Sequence, residues 1–308
     1  MNRVATWSNV GTDVTANRVA DILKQSNLDY TVTTENMVST SGLIVPNKKL
    51  TVANYADGTR KALGVVGSNY TICQNDEAFN FVDNVIDNGV NIVKAGETQS
   101  GLVYMIGQLP TINVLGDDIQ HHIIFQNSHN GAYTLAAAIC ALRIVCQNQF
   151  ARTFKNLENN INIHHTVSLP SRLEMSGDIM RQALVYAQNF KAEAERQAGK
   201  RLTTEMVNKI FDEYIRRARG MYEKKMEDIS QRVLTGYEED MAFIQNAYNA
   251  EDNQNFKNTL WGVTNAFTDY LTHRDVKKTA NANETNFVKV TLGKETQKFV
   301  DIANAIAA

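Results

Sequence analysis

The sequence predicts an α+β protein, with an N-terminal antiparallel β-sheet and packed helices followed by a mostly helical C-terminal region. Alternating apolar and polar residues recur in short runs up to about residue 125, and helical spacing dominates after Pro170. The hydrophobic fraction of 43% is that of a globular protein. We place a boundary near Pro170, between a β-rich core over residues 1–170 and a helical region over residues 171–308.

The β-rich core begins with apolar positions at helical spacing, which predict a helix over residues 12–25. A second helix is predicted from Asn75 to Asn88, where Gly89 ends it. Residues 133–147 fit either a bulged strand or a buried helix. The predicted strands cover residues 30–33, 50–53, 62–66, 90–94, 102–109 and 119–125.

The helical region has four long stretches of helical periodicity and a helix near its end. Polar residues at 281–285 predict a loop. The predicted helices cover residues 178–197, 203–234, 238–248, 256–271 and 295–306.

Composition and missing motifs exclude several classes of protein. The formal net charge is -2, so binding to nucleic acid would depend on a local basic patch. The longest apolar run, residues 135–142, is too short to span a bilayer, and we expect no membrane segment. Gly96 and Gly101 have the spacing of a phosphate-binding loop, but Leu102 stands where the lysine belongs, which argues against an ATP-driven motor.

Histidine and cysteine residues are concentrated between residues 121 and 165. A zinc site would need about four such ligands, commonly in closely spaced pairs, and these spacings match no such pattern. Strand alternation would send His121 and His122 to opposite faces of a sheet. The alternatives are a metal site and ordinary core packing of the cysteines. The residues concerned are His121, His122, His129, Cys140, Cys146, His164 and His165.

The segment from Asn127 to Gly131 is a strong loop signal with two interpretations. It could direct backbone amides and His129 toward an anion, or it could be an ordinary turn. We keep Asn127 and His129 as candidate site residues.

Arg143 stands alone in an apolar stretch, so a buried guanidinium there needs a partner. It either pairs with a carboxylate or emerges to bind a phosphate. No acidic residue occurs from Ala141 to Lys155, so the segment is a modest anion-binding candidate or a solvated loop. Its candidate contacts are Arg143, Asn148, Arg152 and Lys155.

A larger basic cluster lies in the helical region. Residues 180–225 contain eleven basic and six acidic residues, with Tyr186, Phe190, Tyr214 and Tyr222 interleaved. Such a pattern suits phosphate contacts and base stacking, or a charged helix face with pairs such as Asp212 with Arg216. The candidate contacts are Lys200, Arg201, Arg216, Arg217 and Arg219.

Asn265, Asp269 and His273 share one stripe of a predicted helix. They could form a polar site with acid–base chemistry or a hydrogen-bonded seam between helices. No nucleophile accompanies them, so we assign no catalytic residue and expect a binding protein rather than an enzyme.

Several short motifs occur in a fixed order along the chain. They are Gly64-Val65-Val66-Gly67-Ser68-Asn69-Tyr70, Asn75, Asn127-Ser128-His129-Asn130-Gly131, Arg143-Ile144-Val145-Cys146-Gln147-Asn148, His165-Thr166, and Trp261-Gly262 with Asn265-Ala266 and Tyr270. These motifs resemble a phage- and plasmid-borne family catalogued as domain of unknown function 932. The resemblance covers about residues 62–270, and the chain departs from the family pattern at Asn130, Ile144 and Gln149.

More distantly, the order of hairpin, helix and three strands resembles the single-strand annealing proteins of phages and eukaryotes. That resemblance implies an ATP-independent protein that binds and anneals single-stranded DNA in phage or plasmid recombination or replication. It also implies a homo-oligomeric ring or filament, no cofactor, and a place in the cytoplasm of a bacterial host cell. The alternatives are a metal-dependent nuclease built on residues 121–165 and a phage protein-binding module that counters host defence.

Overall fold

A computed structural model of the chain describes residues 6–143, 148–151, 160–162, 169–274 and 281–308. The predicted α+β class is confirmed, with the strands in the N-terminal half and helices dominating the C-terminal half. The strands are β1 Thr12–Asp13, β2 Thr31–Val38, β3 Ile44–Asn54, β4 Arg60–Gly67, β5 Asn91–Glu97, β6 Leu102–Val114, β7 Asp117–Ser128, β8 Ala136–Arg143, β9 Asn148–Ala151 and β10 Asn160–Asn162.

Within the described ranges, three short α-helices lie among the strands, and six more follow the last strand. Short 3-10 helices occur at Thr6–Asn9, Met226–Asp228 and Glu251–Phe256. The α-helices are α1 Val19–Gln25, α2 Asn75–Phe79, α3 Val82–Asp87, α4 Leu169–Gly199, α5 Thr204–Ala218, α6 Gln231–Tyr248, α7 Leu260–His273, α8 Ala282–Leu292 and α9 Glu295–Ala307.

The main sheet is an antiparallel meander in which β5, β6, β7 and β8 pair in order. β1 pairs with the outer edge of β5, while β9 and β10 pair with the outer edge of β8. Leu115 and Gly116 both have positive φ and form the tight turn between β6 and β7, as a two-residue hairpin requires. A smaller antiparallel sheet contains β2, β3 and β4 in that order.

Each strand of the meander contributes side chains to both faces of the main sheet. Val103 and Met105 of β6 join the core that includes α1 to α4, whereas Tyr104 and Ile106 join the core that contains Trp7. This alternation is the period-two pattern of a strand covered on both sides. α4 therefore belongs to the same core as the sheet, and a division of the chain at residue 170 stays a prediction.

The C-terminal helices form a further core. Phe211 of α5, Phe267 of α7 and Phe299 of α9 meet there, and the last two rings stack at 3.9 Å between centroids. No helix in the described residues is both long and apolar enough to cross a membrane.

Several sequence predictions need correction. The helix predicted at 12–25 is only the seven residues of α1, and the one predicted from Asn75 to Asn88 is split into α2 and α3. The single helix predicted over 203–234 is interrupted, because Gly220 and Glu223 adopt positive φ between α5 and α6. The loop predicted at 281–285 is the first turn of α8.

Residues 136–143 form a strand, which resolves the ambiguity between a strand and a helix. All eight residues of β8 are buried, so its alanines show no polar alternation. α4 begins at Leu169, earlier than predicted, with Pro170 in its first turn, where a missing backbone N–H costs nothing.

Candidate nucleic-acid interface and buried polar sites

Arg143 is buried and paired with carboxylates. Its Nε donates to Asp117 Oδ2 at 2.7 Å, and Nη1 donates to Asp252 Oδ2 at 3.1 Å. Nη2 also donates to the backbone oxygen of Asp252 at 2.7 Å, and only 2% of the side chain is exposed. Of the two sequence interpretations, the carboxylate pair is therefore correct, and the phosphate contact is wrong because the guanidinium does not reach the surface.

The structure describes only some of the other candidate residues of this segment. Asn148 begins β9 and pairs through its backbone register with Arg143. Arg152 and Lys155 lie outside the described residues, as do Cys146, His164 and His165. Their predicted roles stay predictions.

Gln149 connects β9 to three other elements by hydrogen bonds. The sequence analysis did not predict this role. Gln149 Oε1 accepts from the backbone N and the hydroxyl of Thr6, both at 2.6 Å. Its Nε2 donates to Thr291 of α8 at 3.3 Å, and its backbone N donates to Thr272 of α7 at 3.2 Å. Because Gln149 is fully buried, these bonds satisfy polar groups that water cannot reach.

Two of the predicted helical contacts are neutralised by neighbouring acids. Arg217 pairs with Glu213 at 2.6 Å, and Arg219 donates from Nε to Asp240 at 2.7 Å. Arg274 also pairs with the buried Asp240, at 2.9 Å. Arg217 and Arg219 are thus poor candidates for phosphate contacts, since binding would have to break an existing pair.

The pair predicted between Asp212 and Arg216 does not form. Asp212 instead accepts a hydrogen bond from Tyr237 at 2.6 Å, and Arg216 forms no ion pair with a described residue. Arg216 remains a candidate phosphate contact, but its side chain is half-buried and therefore less accessible.

Lys200 and Arg201 lie on a backbone segment that pairs with the segment containing Lys257, a cation that the sequence analysis missed. The segment after α4 runs antiparallel to the segment before α7, through a bridge between Arg201 and Thr259. Lys200 O accepts from Leu260 N at 3.0 Å, which completes the connection. We call Lys200, Arg201 and Lys257 the basic turn cluster.

The basic turn cluster is accessible and unneutralised. Arg201 is exposed, and Lys200 and Lys257 are half-buried. Among the described residues, none of the three forms an ion pair with a carboxylate. Lys257 escaped the sequence analysis because it is an isolated cation among neutral residues, without a charge run to mark it.

The loop candidates Asn127 and His129 are buried in a polar network around Asn75, the first residue of α2. Asn75 Nδ2 donates to Leu28 O at 2.9 Å, so its Oδ1 must accept. Asn127 Nδ2 donates to that oxygen at 3.3 Å, and His129 Nε2 approaches it at 2.9 Å. His129 therefore carries its hydrogen on Nε2, and the side chains hold the fold together rather than face an anion.

The same loop joins the small sheet to the main sheet. Asn130 Nδ2 donates to Ser100 O at 2.9 Å, and the Asn130 side chain fills the space beside Gly64 and Gly101, where a Cβ would collide with it. Tyr70, just beyond β4, donates to Ser128 O at 2.9 Å. The glycines and the asparagine of these motifs thus permit a close approach of backbones.

A second polar contact between the sheets involves Tyr30, Glu97 and Lys61. Tyr30 donates to Glu97 Oε2 at 3.2 Å, and Lys61 Nζ lies 3.6 Å from the same oxygen. Burial, followed by the charge of Glu97, raises the pKa of Tyr30 far above its ordinary value. Tyr30 accordingly remains a hydrogen-bond donor at any physiological pH.

His121 and His122 point to opposite faces of the main sheet, as predicted. His121 lies against Tyr186 and Phe190 of α4, at 5.9 and 5.6 Å between ring centroids, and His122 lies 4.7 Å from Trp7 on the other face. Burial lowers the pKa of each to about 4, so both are neutral at pH 7. The two rings cannot share a metal ion.

The described residues contain no group of three or more His, Cys, Asp or Glu side chains arranged to hold a metal. Cys140 is buried among apolar side chains on the same face as Trp7, which is the packing role expected for it. In the described part of the chain, the metal interpretation therefore has no geometric support.

The polar stripe of α7 lies inside the helical region. Residues from Leu260 to Thr272 are all buried. Thr264 donates to Gln197 of α4 at 2.8 Å, and Asn265 contacts Asn253 at 3.4 Å. Asn265 of the predicted stripe thus contacts a neighbouring element, and the roles of Asp269 and His273, in a seam between helices or in acid–base chemistry, stay predictions.

Together, the two antiparallel sheets, the buried polar network and the helical C-terminal region define an α+β protein whose motif residues are mostly structural. A family model described as Domain of unknown function (DUF932) matches residues 62–291, and the chain belongs to that family. The matched part contains Asn75, His129, Arg143 and the basic turn cluster. No curated protein and no solved structure matches the chain.

Proposed function

We propose that this protein binds and anneals single-stranded DNA without nucleotide hydrolysis, in phage or plasmid recombination or replication. The observation that supports the proposal is the basic turn cluster, because its three cations form no ion pair with the described residues, whereas Arg143, Arg217 and Arg219 do. Unpaired cations bind phosphates at the lowest cost, since no existing pair must be broken and condensed counterions are released from the strand.

An aromatic residue lies next to the cluster. Tyr248 is half-buried, and its hydroxyl accepts from Asn258 N at 2.8 Å, one residue after Lys257. Rings of this kind are the sequence-tolerant stacking surfaces that single-strand binding uses together with cations.

Fluorescence anisotropy with a labelled oligothymidylate at low salt tests the contact surface. We expect the triple variant Lys200→Ala, Arg201→Ala, Lys257→Ala to bind about ten-fold more weakly or worse than the parent chain. The matched control, Lys24→Ala, Lys289→Ala, Lys294→Ala, removes the same charge elsewhere and should bind like the parent.

Annealing is measured separately, as the rate at which two complementary labelled oligonucleotides pair without ATP. The parent chain and the control should accelerate pairing, and the cluster variant should not. If the parent chain bound no oligonucleotide at low salt, the proposed function would be wrong. If the cluster variant and the control bound equally well, the contact surface would be misplaced.

A further inference from the structure

The outer part of the small sheet exposes large aliphatic side chains. Residues 36–50 contain the end of β2, the turn and the start of β3, and we call them the β-arm. Val38, Leu43 and Ile44 at its turn are 55%, 70% and 67% exposed. Large aliphatic groups gathered at such a turn mark a surface that contacts something else.

The β-arm extends away from the residues that anchor the small sheet. The inner end of β2 is held by Gln74, whose side-chain amide accepts from Val32 N at 2.8 Å and donates to Val32 O at 2.9 Å. Thr51 and Ala53 on the inner end of β3 are buried. By contrast, the turn is closed by hydrogen bonds within itself, such as Ser39 N to Leu43 O at 2.8 Å.

The β-arm is also basic on an otherwise acidic chain. It contains Lys48 and Lys49 and no acidic residue, so its charge is +2. The whole chain has a net charge of -2, which leaves -4 for the remaining residues. The arm and the remaining residues therefore carry net charges of opposite sign, which favours contact between two copies of the chain.

We propose that the β-arm docks on the body of a second copy of this chain. Its aliphatic turn would form the apolar centre of the contact, and Lys48 and Lys49 would face acidic groups at the rim. A nucleic acid is a poorer occupant, because the arm has no aromatic ring on which bases could stack. The β-arm contains none of the residues of the basic turn cluster.

Side chains rather than strand pairing would carry this contact. The ladder between β2 and β3 shifts register between Asn36 and Val38, and such a bulge hinders edge-to-edge pairing. An arm that reaches onto a neighbour makes a heterologous contact, which builds a ring where the rotation closes and a filament where it does not.

Sedimentation velocity of the full chain, without DNA and over a range of concentrations, tests the proposal. The parent chain should form species heavier than its 34.4 kDa monomer. Leu43→Ser with Ile44→Ser should weaken association by about ten-fold or more, as loss of a central apolar contact does. Leu184→Ser with Val185→Ser is the matched control, since these α4 residues are 56% and 49% exposed, and it should associate like the parent.

Charge reversal provides a second test, because Lys48→Glu with Lys49→Glu should weaken association most at low salt. A parent chain that stays monomeric at every concentration overturns the proposal, and so does an arm variant that associates normally. One outcome is an arm variant that associates like the parent chain but no longer binds oligothymidylate or anionic vesicles. That result would assign the arm to the partner whose binding is lost. Oligonucleotide binding by the dissociated arm variant shows that the DNA proposal stands separately.

Discussion

The Nε of Arg143, at the end of β8, donates to Asp117 Oδ2, at the start of β7, over 2.7 Å. The pair lies at one end of the neighbouring strands β7 and β8, and the remaining guanidinium nitrogens donate to Asp252 before α7. One buried cation therefore connects the sheet to the helical region. Arg143 belongs to a family motif whose sequence suggests anion binding, but in the structure it links the sheet to the helical region.

Removing this cation should destabilise the fold strongly. Arg143→Met leaves the carboxylates of Asp117 and Asp252, which are 15% and 21% exposed, without their charge partner, and this should lower the free energy of unfolding by about 3 kcal/mol. Urea denaturation measures the change. Arg181→Met is the control, because Arg181 is 74% exposed beside Asp178 and its loss should change little. Equal effects of the two substitutions would contradict this linking role of Arg143.

The neutral histidines make stability depend on pH. The folded-state pKa of His121 and His122 is about 4, below the ordinary value of 6.5, so the unfolded chain binds their protons more tightly. Their contribution is complete above pH 6.5 and is lost as the pH falls toward 4, on the order of 3 kcal/mol for each ring. His121→Phe should reduce this loss in urea unfolding at pH 7 and pH 4.5. An unchanged difference between the two pH values would show that His121 does not remain neutral.

The network around Asn75 gives a third prediction. Asn75→Ala leaves the donors of Asn127 Nδ2 and His129 Nε2 without their shared acceptor, which should cost about 2–3 kcal/mol of unfolding free energy. Thermal unfolding followed by circular dichroism measures it. Asn69→Ala, at an exposed position outside this network, serves as the control and should leave the melting temperature nearly unchanged. A shift no larger than that of the control would rule out the structural role.

Gly236 of α6 provides space for Arg219. A Cβ at this position would overlap the guanidinium, which Asp240 holds in place. Gly236→Ala should therefore destabilise by about 1–3 kcal/mol, although alanine is the better helix former. In an Arg219→Ala background the same substitution should be neutral or stabilising, and a double-mutant cycle in urea measures the coupling. Additive effects would show that the two residues do not compete for space.

Local patterns predicted the strands and their faces well, because period-two alternation depends on neighbours in the chain. The opposite directions of His121 and His122 followed from that rule alone. The break between α5 and α6 was missed, since good helix formers surround Gly220 and the positive φ at Glu223 has no strong local signal.

Long-range partners were beyond sequence reasoning. Arg143 and Asp252 are separated by 109 positions, and Asn75 and His129 by 54. A charge count located Lys200 and Arg201, but only the antiparallel bridge between Arg201 and Thr259 shows that their segment pairs with the one that contains Lys257. The candidate interface thus depends on pairing between distant segments, which only the folded structure shows.

The salt dependence of single-strand binding tests the proposed function most directly. Three phosphate contacts should contribute a slope of about -2 to a plot of log binding constant against log salt concentration. We expect oligothymidylate binding by the parent chain to show at least this slope, and the Lys200, Arg201 and Lys257 triple alanine variant to lose about that much of it. Binding whose slope is the same in both proteins, or no binding at low salt, would contradict the account.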